Sequence, residues 1–176
     1  MKIKTHNIFN IGVLTYIGAF LTVPLYSLIS AILISFPANE VIDKYGHEKN
    51  GLGIPVRTYK THSPIRAFVW GMLPAVIFFT IVYYFRNRFN LMIPYFILIQ
   101  GLLSGELHLL LDLPTEGGIF INKKRFALGH FAYNNPLLNF LGIIIGLFLI
   151  YISFGGSYEE VYRVFKHIVV IFKRIV

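Results

Sequence analysis

Phe68–Phe85 reads FVWGMLPAVIFFTIVYYF, a run with no charged residue. Pro136–Phe154, PLLNFLGIIIGLFLIYISF, is its equal. No soluble core of a 176-residue chain calls for apolar runs of this length, and a bilayer does. The composition agrees, with 56% apolar, 16% aromatic and only 14% charged residues. The fold class expected is therefore all-α: a polytopic helical membrane protein of about five transmembrane helices. The same chain carries a net charge of +8, six histidines and no cysteine.

Working outward, Ile8–Phe36 is also free of charge and is either one long span or two short helices turned at Leu21-Thr22-Val23-Pro24, where the proline suits the first turn of a second helix. Lys2 and Lys4 precede it as in a signal peptide, but the run is too long and lacks a small-residue cleavage site, so the amino terminus is expected to stay. A polar segment, Pro37–Pro64, follows and opens with a helical continuation past Pro37. A third helix is expected at about Arg66–Tyr84 and a fourth at about Leu91–Leu113. Gly117–Phe126 suggests a small β-hairpin turning near Asn122-Lys123. Pro136 opens a fifth helix. Ser157-Tyr158-Glu159-Glu160 reads as a capping box for a basic amphipathic helix lying on the membrane surface. This divides the chain into a helical membrane domain, 1–156, and a tail helix, 157–176.

If the first stretch is a hairpin, 10 of the 16 basic residues fall on one side of the membrane; a single span divides them evenly. The positive-inside rule favours the hairpin and places the polar loops in the cytoplasm. On this reading the basic excess is loop and tail charge, with no nucleic-acid partner implied.

Without thiols, the strong metal ligands available are His, Asp and Glu. His108 and Asp112, four apart, stack on one face of the fourth helix, and an ionisable pair inside a membrane helix marks function by default. Asn39, Asp43 and His47 share the same spacing. Thr61-His62-Ser63-Pro64 precedes the third helix, with Ser63 placed to cap it; Thr5-His6 precedes the first, with Thr5 as cap. Topology puts His108, Asp112, Asp43, His47 and His62 at one membrane face, and the hairpin adds His6. An N/O donor set of this kind suits one or two ions of zinc, manganese or iron. His130 lies in a loop on that side, and His167 reads as a surface residue of the tail.

Thr5-His6, the Asp/His cluster ending the second helix, Thr61-His62-Ser63, and His108-x-x-x-Asp112-x-x-Thr115-x-x-Gly118 resemble the membrane-bound metal-dependent hydrolases of the LexA-regulated inner-membrane type. The stretches Glu116–Phe120 and Ala127–Pro136 look like an uncharacterised archaeal membrane branch of that group. The resemblance implies a divalent-metal hydrolase in the cytoplasmic membrane. It departs at the second motif, where a compact Pro-Asp-x-Asp-His is replaced by Asn39, Asp43 and His47, so that Asn39 or Glu40 stands where a carboxylate ligand is expected. A stretch with His-Arg-Gly in the bacterial pattern is Arg57-Thr58-Tyr59-Lys60 here. On this basis His6, Asp43, His47, His62, His108 and Asp112 are expected to hold zinc or manganese, with Glu116 as general base. Arg57, Lys60 and Arg125 would hold the anionic group of a lipid or lipid-linked phosphoester. The alternative is a non-enzymatic membrane protein with a structural metal or a transport or interaction role. Oligomeric state is left open.

Overall fold

The computed structural model describes residues 1–49, 51, 55–89 and 94–155. Among the described residues, five helices carry the fold: α1 (Ile3–Ala19), α2 (Pro24–Gly46), α3 (Pro64–Phe89), α4 (Tyr95–Asp112) and α5 (Pro136–Ser153). Two antiparallel hairpins sit between them, β1 (His47–Lys49) with β2 (Pro55–Arg57), and β3 (Ile119–Ile121) with β4 (Lys124–Phe126). The tail helix expected over 157–176, and His167 with it, lies outside the described residues.

The first apolar stretch is a hairpin. Pro24 takes the first-turn position of α2, where its missing N–H costs nothing. The first helix starts earlier than the apolar run, at Ile3, so His6 lies inside its first turns. Thr5 is no cap: its hydroxyl donates to Asn139 Oδ1 at 2.7 Å and ties the start of α1 to the start of α5. Asn135 caps α5 by accepting from Leu138 N–H, and Pro136 follows it. Ser63 stands at the start of α3, but its hydroxyl donates back to Tyr59 O instead of capping. The β3–β4 turn falls on Asn122 and Lys123, both with positive φ (49° and 66°), the backbone that a two-residue hairpin turn demands. The hairpin β1–β2 was not foreseen in the polar segment.

Helix α1 packs on α5 and α2, and α3 packs on α4 and α2. Glycines allow the close crossings. A Cβ on Gly12 would run into the backbone of Gly146, and one on Gly105 into the carbonyl of Ala67. Small residues at such crossings let two helix backbones come into direct contact.

Four helices, α2, α3 as far as Phe85, α4 and α5, are long and apolar enough to cross a membrane; α1, with 17 residues, falls short of that length. Their outward faces are apolar: Leu33 and Phe36 on α2, Val76, Ile77 and Ile81 on α3, and Phe140, Ile144 and Phe148 on α5 are exposed. The interior is unusually polar. Thr5, His6, Asn7, Asn10, Asn39, Gln100, Ser104, His108 and Asp112 are all buried, between small apolar clusters such as Ile11, Leu14 and Ala31.

Candidate metal centre

Every helix has one end at the face where the loops gather, and four segments deliver a metal-ligating side chain there. His6 comes from α1, Asp43 from the last turn of α2, His62 from the loop before α3, and His108 with Asp112 from α4. Asp112 Oδ2 lies 3.3 Å from His108 Nε2 and 3.6 Å from His62 Nε2. Asp43 Oδ1 lies 3.5 Å and 3.8 Å from the same two nitrogens. Zinc with bonds of about 2.0–2.1 Å in a tetrahedron sets its ligand atoms about 3.3 Å apart. Four of the six separations among these donors, each between a histidine and an aspartate, are 3.3–3.8 Å and so near that spacing, while the donor sets that lie wholly within 4.8 Å are His6, His108 and Asp112, all buried, and Asp43, His47 and His62.

The chemistry of these atoms fits a cation. His62 Nε2, His108 Nε2 and Asp112 Oδ2 are buried and make no hydrogen bond among the described residues. Leaving such atoms unmet is costly, and two lone-pair nitrogens facing two carboxylate oxygens satisfy nothing by themselves. The opposite ring nitrogens show why the lone pairs point inward. Asn39 Nδ2 donates to Asn7 Oδ1 (2.8 Å), which turns Asn39 Oδ1 toward His108 Nδ1 (2.9 Å). His108 carries a proton on Nδ1, so that in the neutral ring Nε2 is bare. Thr61 spends its hydroxyl proton on Ile42 O (2.8 Å) and so accepts from His62 Nδ1 (2.9 Å). His47 Nδ1 meets the Asp43 carbonyl at 2.6 Å, which fixes the same tautomer a third time. Burial also pushes the His62 imidazole down to about 4, against the pull of Asp43, so the ring is neutral near pH 7.

Asp112 has two different oxygens. Its Oδ1 receives Arg57 Nη2 at 2.6 Å and the Met1 amino group at 2.5 Å, with His6 Nε2 at 3.1 Å. Its Oδ2 is left for the cluster. His6 stacks on His108, ring centroids 4.0 Å apart and nearly parallel. A second group of donors, Asp43, His47 and His62, adjoins the first; Asp43 and His47 are its partly exposed members, so the cluster opens on their side.

Local backbone holds this arrangement. Phe120 N–H donates to His62 O (2.7 Å), so strand β3 clamps the loop that carries His62. Gly46 leaves the space that Thr61 and the His62 ring occupy; a Cβ there would come within 2.6 Å of His62 Cε1. Gly117 likewise makes room for the Arg57 guanidinium.

Several expected residues stand elsewhere. Asn39 replaces no carboxylate ligand; it orients His108, and Glu40 is exposed. Arg57 is committed to Asp112 and to Thr115 Oγ1 (2.8 Å), which removes it from the surface where a head group would dock. Lys60 is exposed and paired with Glu48, which raises its pKa. Arg125 is exposed on β4, and His130 is exposed in its loop. Glu116 is exposed too. After α4 the chain turns at Thr115, whose hydroxyl donates to Asp112 O (2.7 Å), so Thr115 faces the cluster and its neighbour faces away. Arg57 and Asn39 as supporting residues were missed in those roles; the signal available was only their place beside motif histidines.

Fold and centre together define a polar-cored helical bundle with a His/Asp donor cluster at one end. The chain belongs to the family described as Protein of unknown function (DUF1286), whose model matches residues 1–111. That span covers α1 to the last turn of α4, and with it every cluster residue except Asp112. No curated protein and no solved structure matches the chain.

Proposed function

We propose that the protein is a membrane-embedded, metal-dependent hydrolase acting on a phosphoester or related bond of a lipid or lipid-linked substrate. The observation that carries the metal is the set of inward lone pairs: His62 Nε2, His108 Nε2, Asp43 Oδ1 and Asp112 Oδ2 face one another across 3.3–3.8 Å, with both histidine tautomers set from behind. The resemblance to LexA-regulated inner-membrane hydrolases carries the reaction class. Zinc or manganese held there would polarise the scissile bond and activate a water. His47, its Nδ1 engaged by the Asp43 carbonyl, offers Nε2 as proton acceptor at the open edge, in place of the outward Glu116.

The apolar outer faces of α2, α3 and α5 support a bilayer location, and the basic excess of the loops supports the cytoplasmic side of the cell membrane. A lipid substrate is supported by an apolar cleft of about 310 Å³ between α2 and α3. Leu33, Pro37, Val41, Leu73 and Ile77 help to line it.

The test is metal analysis of protein purified from membranes, with release of water-soluble phosphate from a lipid mixture as the activity. Wild type is expected to hold at least one zinc or manganese, and His108→Ala and Asp112→Asn to lose both metal and activity. Unchanged metal content in both variants would sink the site. Bound metal that supports thermal stability, with no product from any lipid, would leave the structural-metal reading instead.

A further inference from the structure

Tyr59 lies in the loop between β2 and α3, and two cations from different elements close on its ring. The Arg66 guanidinium, from the first turn of α3, stands 4.7 Å from the ring centroid. The Lys123 ammonium, from the turn of the β3–β4 hairpin, stands 5.8 Å from it. The two charges are therefore no farther apart than those distances laid end to end. Among the described residues neither has an acidic partner: the Lys and Arg side chains in ion pairs are Arg57, on Asp112, and Lys60, on Glu48. The first turn of α3 holds no acidic residue, and Ser63 turns its hydroxyl back to Tyr59 O. No side chain thus offsets the positive end of this 26-residue helix, which adds to the two cations.

The cations stand where the apolar surface of α3 begins. Ile65, the neighbour of Arg66, is 81% exposed, and Val69, one helical step on, shares its outward face. Trp70, four residues after Arg66, stacks on Tyr45 in the last turn of α2, ring centroids 6.2 Å apart, and its indole N–H reaches Lys60 O at 3.5 Å. Trp, Tyr, Lys and Arg gathered at one end of an apolar helix are the composition of the headgroup layer, where rings lie between tails and water and cations reach the phosphates. Arg66 and Lys123 are both exposed, on the outside of the bundle, unlike the buried His/Asp cluster.

We propose that Tyr59, Arg66 and Lys123 form a headgroup site for an anionic phospholipid, the two cations closing on its phosphate while an acyl chain lies against Ile65 and Val69. The guanidinium offers phosphate paired planar donors, the ammonium adds a point charge, and the Tyr59 ring holds both in place. The phosphate supplies the negative charge that the protein does not. A free phosphate ion meets the same cations but gains nothing from the apolar face beside them, which makes the lipid the occupant. The site rests on the bilayer location of α3 proposed above, and on neither the metal nor hydrolysis.

The test uses the full-length protein in dodecylmaltoside, titrated with phosphatidylglycerol or with phosphatidylcholine of identical chains, bound lipid being counted by native mass spectrometry. Wild type is expected to hold phosphatidylglycerol several-fold more tightly; equal affinity for the two lipids overturns the proposal without any variant. Arg66→Gln and Lys123→Gln should each weaken phosphatidylglycerol about five-fold, as loss of one basic group near an anionic lipid surface does. Lys4→Gln, exposed at the same end of the bundle on α1, should change nothing. Equal losses in all three variants mean diffuse attraction and overturn the site, as does full affinity in the double variant of Arg66 and Lys123. Displacement of the lipid by a millimolar excess of inorganic phosphate overturns the lipid as occupant. Carbonate washing of phosphatidylcholine liposomes reads the bilayer location separately: wild type that washes out overturns that location and the site with it, and wild type that stays but shows no lipid preference overturns the site alone.

Discussion

Asn39 Oδ1 stands 2.9 Å from His108 Nδ1, one residue orienting the other across the α2–α4 interface. The orientation of the amide is itself enforced, since Asn39 Nδ2 is given to Asn7 and Asn10 donates to the same oxygen. Removing the acceptor should free the imidazole to rotate or change tautomer without touching a ligand. Asn39→Leu is expected to weaken metal binding about 10- to 100-fold, as outer-shell substitutions do at metal sites. Competition with a chelator of known affinity measures it, and an unchanged affinity removes Asn39 from the site.

Arg57 is the nearly buried counter-charge of Asp112, with 9% and 0% of the two side chains exposed. Truncating it leaves the buried carboxylate with the Met1 amino group as its remaining cation, and loss of one partner of a buried pair costs about 3–5 kcal/mol, with the low end fitting a carboxylate that keeps a second partner. Arg57→Met should therefore lower unfolding stability by roughly 3 kcal/mol. The exposed pair of Lys60 with Glu48 gives the contrast: Lys60→Met should produce no measurable change. Chemical denaturation of both variants in one detergent compares them directly. Equal effects would mean that the Arg57 contact carries no special weight.

Much of this was legible because long apolar helices are written in long charge-free runs. The charge-free stretches placed four apolar helices, Pro24 placed the first turn, and the four-residue step from His108 to Asp112 placed both on one helix face. What periodicity cannot show is a partner far along the chain. Arg57 meets Asp112 across 55 positions, and nothing local distinguishes it from Lys60, which faces away. Adjacency misled at Glu116: it follows Asp112 by one helical step, but the helix has ended and the turn gives the inward place to Thr115. Gln100, Ser104, Thr15 and Ser35 look incidental in an apolar sequence, and their burial emerges only when the helices are assembled.

Gly46 sits where α2 ends and the loop carrying Thr61 and His62 crosses it. An added methyl meets the Thr61 hydroxyl and the edge of the His62 ring, and the loop that carries them is held by the Phe120 N–H on the His62 carbonyl. Overpacking of this kind costs about 1–3 kcal/mol. Gly46→Ala is expected to lower both stability and metal affinity, with the affinity loss traceable to His62. Adding His62→Ala to the glycine variant checks this: the two affinity losses should be less than additive. Full additivity would show that Gly46 acts elsewhere.

His62 also sets a pH dependence in the metal-free protein. Burial holds its imidazole at about 4, below the ordinary value of 6.5, so between those values the unfolded chain takes up a proton that the folded chain refuses. Stability is then flat in this respect above pH 6.5 and falls as the pH drops from 6.5 toward 4, by up to about 3 kcal/mol for a shift of this size. Below 4 both states are protonated and the loss is complete. Unfolding of wild type and His62→Gln, each stripped with chelator and measured at intervals from pH 7.5 to 4, should give curves that diverge through this window, the wild type losing more. Curves that run parallel from pH 7 to 4 would show that the ring titrates normally, and with it that the loop before α3 does not bury His62 as described.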